Sequence, residues 1–275
     1  MRVKWDEVGE RLYETGVKMG MLYNFDNDAK AYNSGVAWNG LTGVTETPSG
    51  ADVTDLYADD IKYLSMRSAE TYGGTITAYM YPDEFRKCNG EAEPVDGVVI
   101  GMQSREMFGM SYRTTLGNDT QLNDYGYLLH LSYGMTVSPS ERAYATINDS
   151  PDAIEFSWEF TTTPVNVTGY KPTALITINS KKADATKLAQ LENILYGSDG
   201  TASYDAVTPV GTENPHTEGW YERSGSSGSY VYTLTADTTV DSGKTYYAKT
   251  TTGATSPRLP MPDEVFSTLR VTTGG

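Results

Sequence analysis

The chain has 275 residues, and 21 Lys and Arg against 36 Asp and Glu leave a net charge of -15, which excludes a surface built to attract a phosphate backbone. A single cysteine, Cys88, excludes an intramolecular disulfide, and no apolar run approaches the roughly 20 residues of a membrane helix. The length suits one large or two ordinary domains, and 21 Tyr, 27 Gly and abundant Thr favour pleated, half-buried surface joined by turns, hence an all-β protein. The opening MRVKWDEVGE lacks the basic and apolar regions of a secretion signal, so the expectation is folding in a reducing cytoplasm, away from any membrane.

Residues 36–70 have turn residues in their middle, and five carboxylates between Glu46 and Asp60 with no basic residue. They read as a long excursion rather than core, and such loops usually have a function or are disordered. Period-two alternation then runs from about residue 71 to 180: Ile76, Ala78 and Met80, then, after a short helical turn at Asp83–Cys88, Phe108, Met110 and Tyr112. In the next strand Tyr127, Leu129, Leu131, Tyr133, Met135 and Val137 share one face and His130, Ser132, Gly134 and Thr136 the other, which predicts a strand packed on one side only. Ile154, Phe156, Trp158 and Phe160 oppose an acidic face of Glu155 and Glu159, and Ala174, Ile176 and Ile178 complete the series. Together these segments predict an antiparallel sandwich or barrel. One flanking helix is expected from about Ala183 to Tyr196, with Leu188, Leu191 and Leu195 inward, Asp184 as N-cap and Gly197 beyond its end. From 201 to 256, 26 of 56 residues are Thr, Ser or Gly, Leu234 is the one Leu, and six Tyr accompany Trp220. That composition reads as a small inserted β module of two or three strands, tolerated in a surface loop, with SPRLPMPDEV resuming the parent domain.

Chemistry is sparse. The two histidines, His130 and His216, have no relay or metal partners in sequence, and Cys88 reads as a small apolar filler. Glu155 and Glu159 lie four residues apart, about 13 Å along a strand at about 3.3 Å per residue, wider than the roughly 5 to 9.5 Å of glycosidase pairs. Asp26, Asn27 and Asp28 begin like a calcium loop, but Lys30, Ala31 and Ala37 break its pattern. No phosphate-binding glycine loop occurs, and the Asn-x-Ser/Thr triplets at Asn118, Asn148 and Asn166 read as chance. No enzyme activity and no cofactor are expected. Trp220 and Tyr221 are the first candidates for a sugar-stacking platform, the alternative being the small core of a short module.

An ordered series of phrases carries a resemblance: WDEVGERLYETGVKMGMLY, GVAWNGLTGVTETPSGAD with LYADDIKYL, YMYPDEF, FGMSYRTTLGND, YLLHLSYGMTVSPSE, YATINDSPDAIEFSWEFTTTPV, GYKPTALITI, LENILYGSDGT and PRLPMPDEV. Over roughly 5–200 and 257–266 the chain resembles the major tail, or tail tube, proteins of long-tailed non-contractile bacteriophages and related prophages. The resemblance implies a tube-type β-sandwich over 1–200, completed by a C-terminal arm at 257–275 and interrupted by the module at 201–256. Hexameric rings would stack into a hollow tail tube that conducts phage DNA from capsid to host cell. An arm at about 1–25 and a stacking loop at about 38–62 would bridge subunits and rings through Trp38, Leu41, Val53, Leu56, Tyr57 and Ile61, and the module would decorate the outer wall.

The implied partners are further copies of the chain, a tape-measure protein, and tail terminator and distal tail proteins. The implied location is the virion tail, after assembly in the host cytoplasm. DNA would pass as cargo without specific binding, along a lumen for which Glu155, Glu159, Asp52, Asp55, Asp59 and Asp60 are the acidic candidates. The residues alone supply a mechanism, since exposed strand edges invite pairing and head-to-tail contacts close into rings or continue as filaments. The rival reading is a β-sandwich that binds carbohydrate or serves in adhesion at a cell surface.

Overall fold

The computed structural model describes residues 2–144, 146, 153–209, 212–227 and 229–270; the Asn148 triplet lies outside them. The chain divides into two compact units, Met1–Tyr196 with Ser256–Gly275, and Gly197–Thr255. Both are built on antiparallel sheet, and the protein is all-β with few helices.

In the larger unit the elements run β1 (Leu12–Asp26), β2 (Ala31–Ala37), β3 (Leu41–Glu46), β4 (Ser49–Gly50), β5 (Val53–Ala58), β6 (Ile61–Arg67), β7 (Glu70–Thr71), β8 (Gly73–Ala78), α1 (Phe85–Cys88), β9 (Ala92–Val95), β10 (Val98–Ile100), β11 (Phe108–Asn118), β12 (Leu122–Val137), β13 (Phe156–Thr162), β14 (Leu175–Asn179), α2 (Ala185–Tyr196) and α3 (Pro262–Leu269). The main sheet has the order β2-β1-β11-β12-β13-β8-β3, and β14 pairs with β12 beside β13. It curls until β3 lies against β1.

Each side of the curled sheet is packed, because β1, β11 and β12 present apolar residues on both faces. Inside the curl, Trp38, Phe85 and Trp158 meet at ring separations of 4.6 to 5.9 Å, among Leu22, Ile76, Phe108, Met110, Met135, Val137 and Phe160. Cys88 belongs to this core, and burial pushes its thiol pKa up to about 12. On the outer face, Leu188, Leu191 and Leu195 of α2 and Val265 of α3 cover Leu129, Leu131, Tyr133, Ile176 and Ile178. The buried Tyr23 hydroxyl crosses this layer and donates to the Leu195 carbonyl at 2.9 Å. Asp184 caps α2 by accepting from the Lys187 backbone N–H at 3.0 Å, and Gly197 beyond its end takes φ +79°.

The expected one-sided packing of β12 is corrected by a bulge. Gly134 sits at φ +61°, and a Cβ there would lie 2.0 Å from the Thr163 carbonyl oxygen. The extra residue slips the alternation, so Leu129, Leu131 and Tyr133 enter the outer core while Met135 and Val137 enter the inner one. The segment expected as an N-terminal arm to about residue 25 is in part core: Met21, Leu22 and Tyr23 are buried in β1, and among the described residues 2–11 precede that strand. The C-terminal arm likewise contains a helix, α3, with Pro262 in its first turn beside Asp263 and Glu264, both suited to a helix start.

The smaller unit is a four-stranded antiparallel sheet, rather than the two or three strands expected, of β15 (Thr201–Val207), β16 (Tyr221–Ser224), β17 (Val231–Leu234) and β18 (Tyr246–Thr252) in the order β15-β18-β16-β17. Tyr246 and Tyr247 alternate to opposite faces. Tyr246 packs on Trp220 at 5.8 Å between ring centroids. Tyr247 joins Tyr204, Tyr221 and Tyr232, in which the Tyr204 and Tyr232 rings stack at 3.9 Å.

Candidate functional site

Residues 36–70 are not a loop. Strands β3 and β8 leave the barrel and continue as one two-stranded ribbon through the β4–β7 and β5–β6 pairs, bridged between them by Thr47 donating to the Gly73 carbonyl and Ser68 to the Asp52 carbonyl. Ala58 pairs with Ile61 at the tip, and Asp59 and Asp60 between them take φ +51° and +61°. Two left-handed residues in a two-residue connection make a type I′ turn, whose twist matches the strands, and Asp tolerates that conformation better than most side chains. At about 3.3 Å per residue the paired strands from Thr47 to Ala58 extend about 36 Å.

Cross-strand pairing sorts the ribbon into two faces. Thr54 with Met66, Leu56 with Leu64 and Ala58 with Ile61 lie on one, and Val53 with Arg67, Asp55 with Ser65 and Tyr57 with Lys62 on the other. Val53, Leu56, Tyr57, Ile61, Tyr63, Leu64 and Met66 are all exposed, Tyr57 by 70%. No element of the chain covers them among the described residues. A second excursion is the β9–β10 hairpin, turned by Asp96 and Gly97, with exposed Val95, Val98, Val99 and Ile100 and, just beyond it, Met102. Exposed Val3, Trp5 and Val8 form a third, before β1. Scattered surface apolar residues need no explanation, but apolar segments concentrated on strands that stand off the core mark contact surfaces.

The sequence-selected contact residues therefore separate. Val53, Leu56, Tyr57 and Ile61 lie on the ribbon. Trp38 does not: it is 3% exposed, its indole N–H donates to the Met80 carbonyl, and it belongs to the inner core. Leu41, half-buried in β3, packs against the same core. Tyr63, Leu64, Met66 and the β9–β10 hairpin were not anticipated. Alternation in IKYLSMR and the Asp-Gly pair in PVDGVVI were the signals available for them.

The acidic candidates also differ. Glu159 is exposed on β13, opposite the buried Trp158 and Phe160, and exposed Glu155 accepts from the Thr42 hydroxyl at 2.6 Å. Asp52, Asp59 and Asp60 are exposed on the ribbon. Asp55 faces Lys62 at 2.8 Å, and this ammonium together with the Ser65 hydroxyl holds its carboxyl below the usual range. Pairing across the ribbon thus supplies the cation that the stretch Glu46–Asp60 lacks.

At the root of the ribbon His130 stacks on Tyr112 with ring centroids 4.7 Å apart. Its Nε2 lies 2.9 Å from the Thr114 hydroxyl and 3.6 Å from Glu14, and its Nδ1 lies 3.9 Å from Glu46, which accepts from the Tyr112 hydroxyl at 2.7 Å. Burial lowers the His130 pKa, the two carboxylates opposing that shift. The carboxylates approach opposite nitrogens of one ring, so they cannot converge on an ion, and no three His, Cys, Asp or Glu side chains among the described residues are grouped to hold a metal. The cluster ties β1, β3, β11 and β12 together where the ribbon departs.

Trp220, a candidate for sugar stacking, is buried against Tyr246, leaving its rings no open face. Tyr221 is half-buried within the tyrosine cluster, where Arg223 lies over Tyr230 and Tyr247. Among the described residues no helix is long and apolar enough to cross a membrane. The chain matches no protein-family model, and no curated protein sequence matches it.

Proposed function

We propose that this chain is a structural subunit that polymerises, of the major tail or tail tube type found in long-tailed non-contractile bacteriophages and related prophages. Hexameric rings would stack into a tube that conducts phage DNA from capsid to host cell, with tape-measure, terminator and distal tail proteins as partners and the virion tail as its location. The observation that carries this reading is the apolar two-stranded ribbon that stands off the curled main sheet with no element among the described residues to cover it. Such a ribbon offers two free strand edges and an apolar face to another copy, and the ordered sequence resemblance points to the same use.

The net charge of -15 suits a conduit. Duplex DNA carries one negative charge per roughly 1.7 Å, so a basic lining would bind and hold it, whereas an acidic lining keeps it mobile. Glu155, Glu159, Asp52, Asp59 and Asp60 are the proposed lining carboxylates, with Asp55 the weakest because Lys62 neutralises it. The role is that of a scaffold rather than an enzyme, and it needs no cofactor. Negative-stain microscopy of the purified protein tests it: rings or tubes with a central channel are expected, and replacement of residues 51–68 by a two-residue turn should leave a folded subunit that forms neither. A wild-type chain that stays monomeric at high concentration would refute the proposal. Glu155→Lys with Glu159→Lys should preserve tubes and impair DNA passage, and unchanged infectivity would remove these two residues from the lining.

The carbohydrate-binding or adhesion reading has one feature in its favour, the tyrosine cluster of the smaller unit with Arg223 across it. Sugar affinity in a persistently monomeric chain would favour it.

A further inference from the structure

A groove of about 940 Å³ opens between α3 and the segment before β14, walled mainly by apolar side chains, among them Val167, Tyr170, Phe266 and Leu269, with Lys171 and Arg270 at its margin. Tyr170 is 78% exposed, its ring 6.3 Å from that of Phe266. The one carboxylate there, Asp263, is bound to the backbone and hydroxyl of Thr168, which lower its pKa. Neither Lys171 nor Arg270 enters an ion pair among the described residues.

The β9–β10 hairpin has the complementary character. From Ala92 to Met102 it carries Glu93 and Asp96 and no basic residue. Glu93 is already paired with Arg86, while Asp96 at the turn has no cation among the described residues. Val98, Val99 and Ile100 are exposed at 43 to 52%. A lone two-stranded hairpin is marginal in water, and this one is joined to no other strand among the described residues.

We propose that the β9–β10 hairpin of one copy inserts into the α3 groove of a second copy, its exposed Val98, Val99 and Ile100 against Tyr170 and Phe266 and Asp96 at its turn towards Lys171 and Arg270. The occupant is a second copy because the hairpin does not fill the groove of its own chain, as its exposure requires, and because apolar contact and charge sign both match. Knob and groove are different surfaces of one subunit, so the contact is head-to-tail and continues from copy to copy until it closes or extends. This contact is separate from the ribbon and rests on the self-assembly reading for its setting alone.

Cysteine cross-linking tests it. Val99→Cys and Ser267→Cys are both at exposed positions, and Cys88 is buried in the inner core with its thiol held protonated. Oxidation of the double variant should give a ladder of covalent multimers, and mixing the two single variants should give the mixed dimer in preference to either homodimer. Val98→Asp with Ile100→Asp should weaken association at least about tenfold, as loss of a central apolar anchor does, without changing the circular dichroism of the subunit. Tubes in the microscope with no ladder would overturn the hairpin contact and leave the tube reading standing. A ladder without tubes would support the contact and refute the tube reading.

Discussion

Strand β13 and the ribbon strand β6 are both short alternating runs, yet the first buries Trp158 and Phe160 and the second leaves Ile61, Tyr63, Leu64 and Met66 in solvent. Periodicity is the same signal in both because it reports only that a strand is two-faced. What it omits is the identity of the layer that covers the apolar face. In β13 that layer is the chain's own aromatic cluster around Phe85; in the ribbon no element of the chain supplies it among the described residues. The two segments therefore separate a strand used for folding from one that, on the proposed function, is used for association.

The largest effect that would sharpen this contrast is in the barrel. Trp158→Ala removes a ring that touches Trp38, Tyr81, Phe85 and Phe156, and a loss of about 3 to 5 kcal/mol in denaturant unfolding is expected. A loss near that of a surface residue would mean the inner core is not continuous. Next comes the ribbon, where Leu64→Thr with Met66→Thr keeps strand propensity and removes apolar area. Stability should change by no more than about 0.5 kcal/mol, while ring or tube formation is lost in the microscope. A large fall in stability would show that the ribbon is part of the core after all.

The smallest effect is a pH slope at the junction of the two regions. His130 has a folded pKa below its unfolded value of about 6.5, so below that pH the unfolded chain binds the proton first. The stability it contributes is present above about pH 6.5 and is lost as pH falls from there towards the folded pKa. His130→Gln should flatten the unfolding midpoint between pH 5 and 7. An unchanged slope would assign that dependence to other groups, while the lowered carboxyls of Glu93 and Asp263 act at lower pH.

Much of the barrel was legible. The alternation of β8, β13 and β14, the α2 stripe with its Asp184 cap, and the Gly197 stop all follow from residue type and spacing. The slip at Gly134 was not, because a glycine in a strand signals a bulge only once its neighbours' register is known. The ribbon was hidden by its turn: Asp59-Asp60 lacks the glycine that normally announces a type I′ connection, and proline and glycine at 48–50 suggested a loop. Trp38 illustrates the converse, a residue beside turn material at Asn39 and Gly40 that the fold draws into the core. The α3 helix carried its signals openly, proline at the start with two acids after it, but PRLPMPDEV reads first as an extended segment.

The continuity of the ribbon with the barrel has a mechanical consequence. Its strands run on into β3 and β8 across the Thr47–Gly73 and Ser68–Asp52 hydrogen bonds, and β8 is paired residue by residue with β13 from Gly73–Thr161 to Ala78–Phe156. Antiparallel hydrogen bonds lie perpendicular to the strands, so tension along the ribbon loads that ladder in shear, and its bonds must yield together rather than one after another. A pull applied at the Asp59-Asp60 tip is thus carried into the aromatic centre of the subunit, and the ribbon acts as a tie rod and not as a tether.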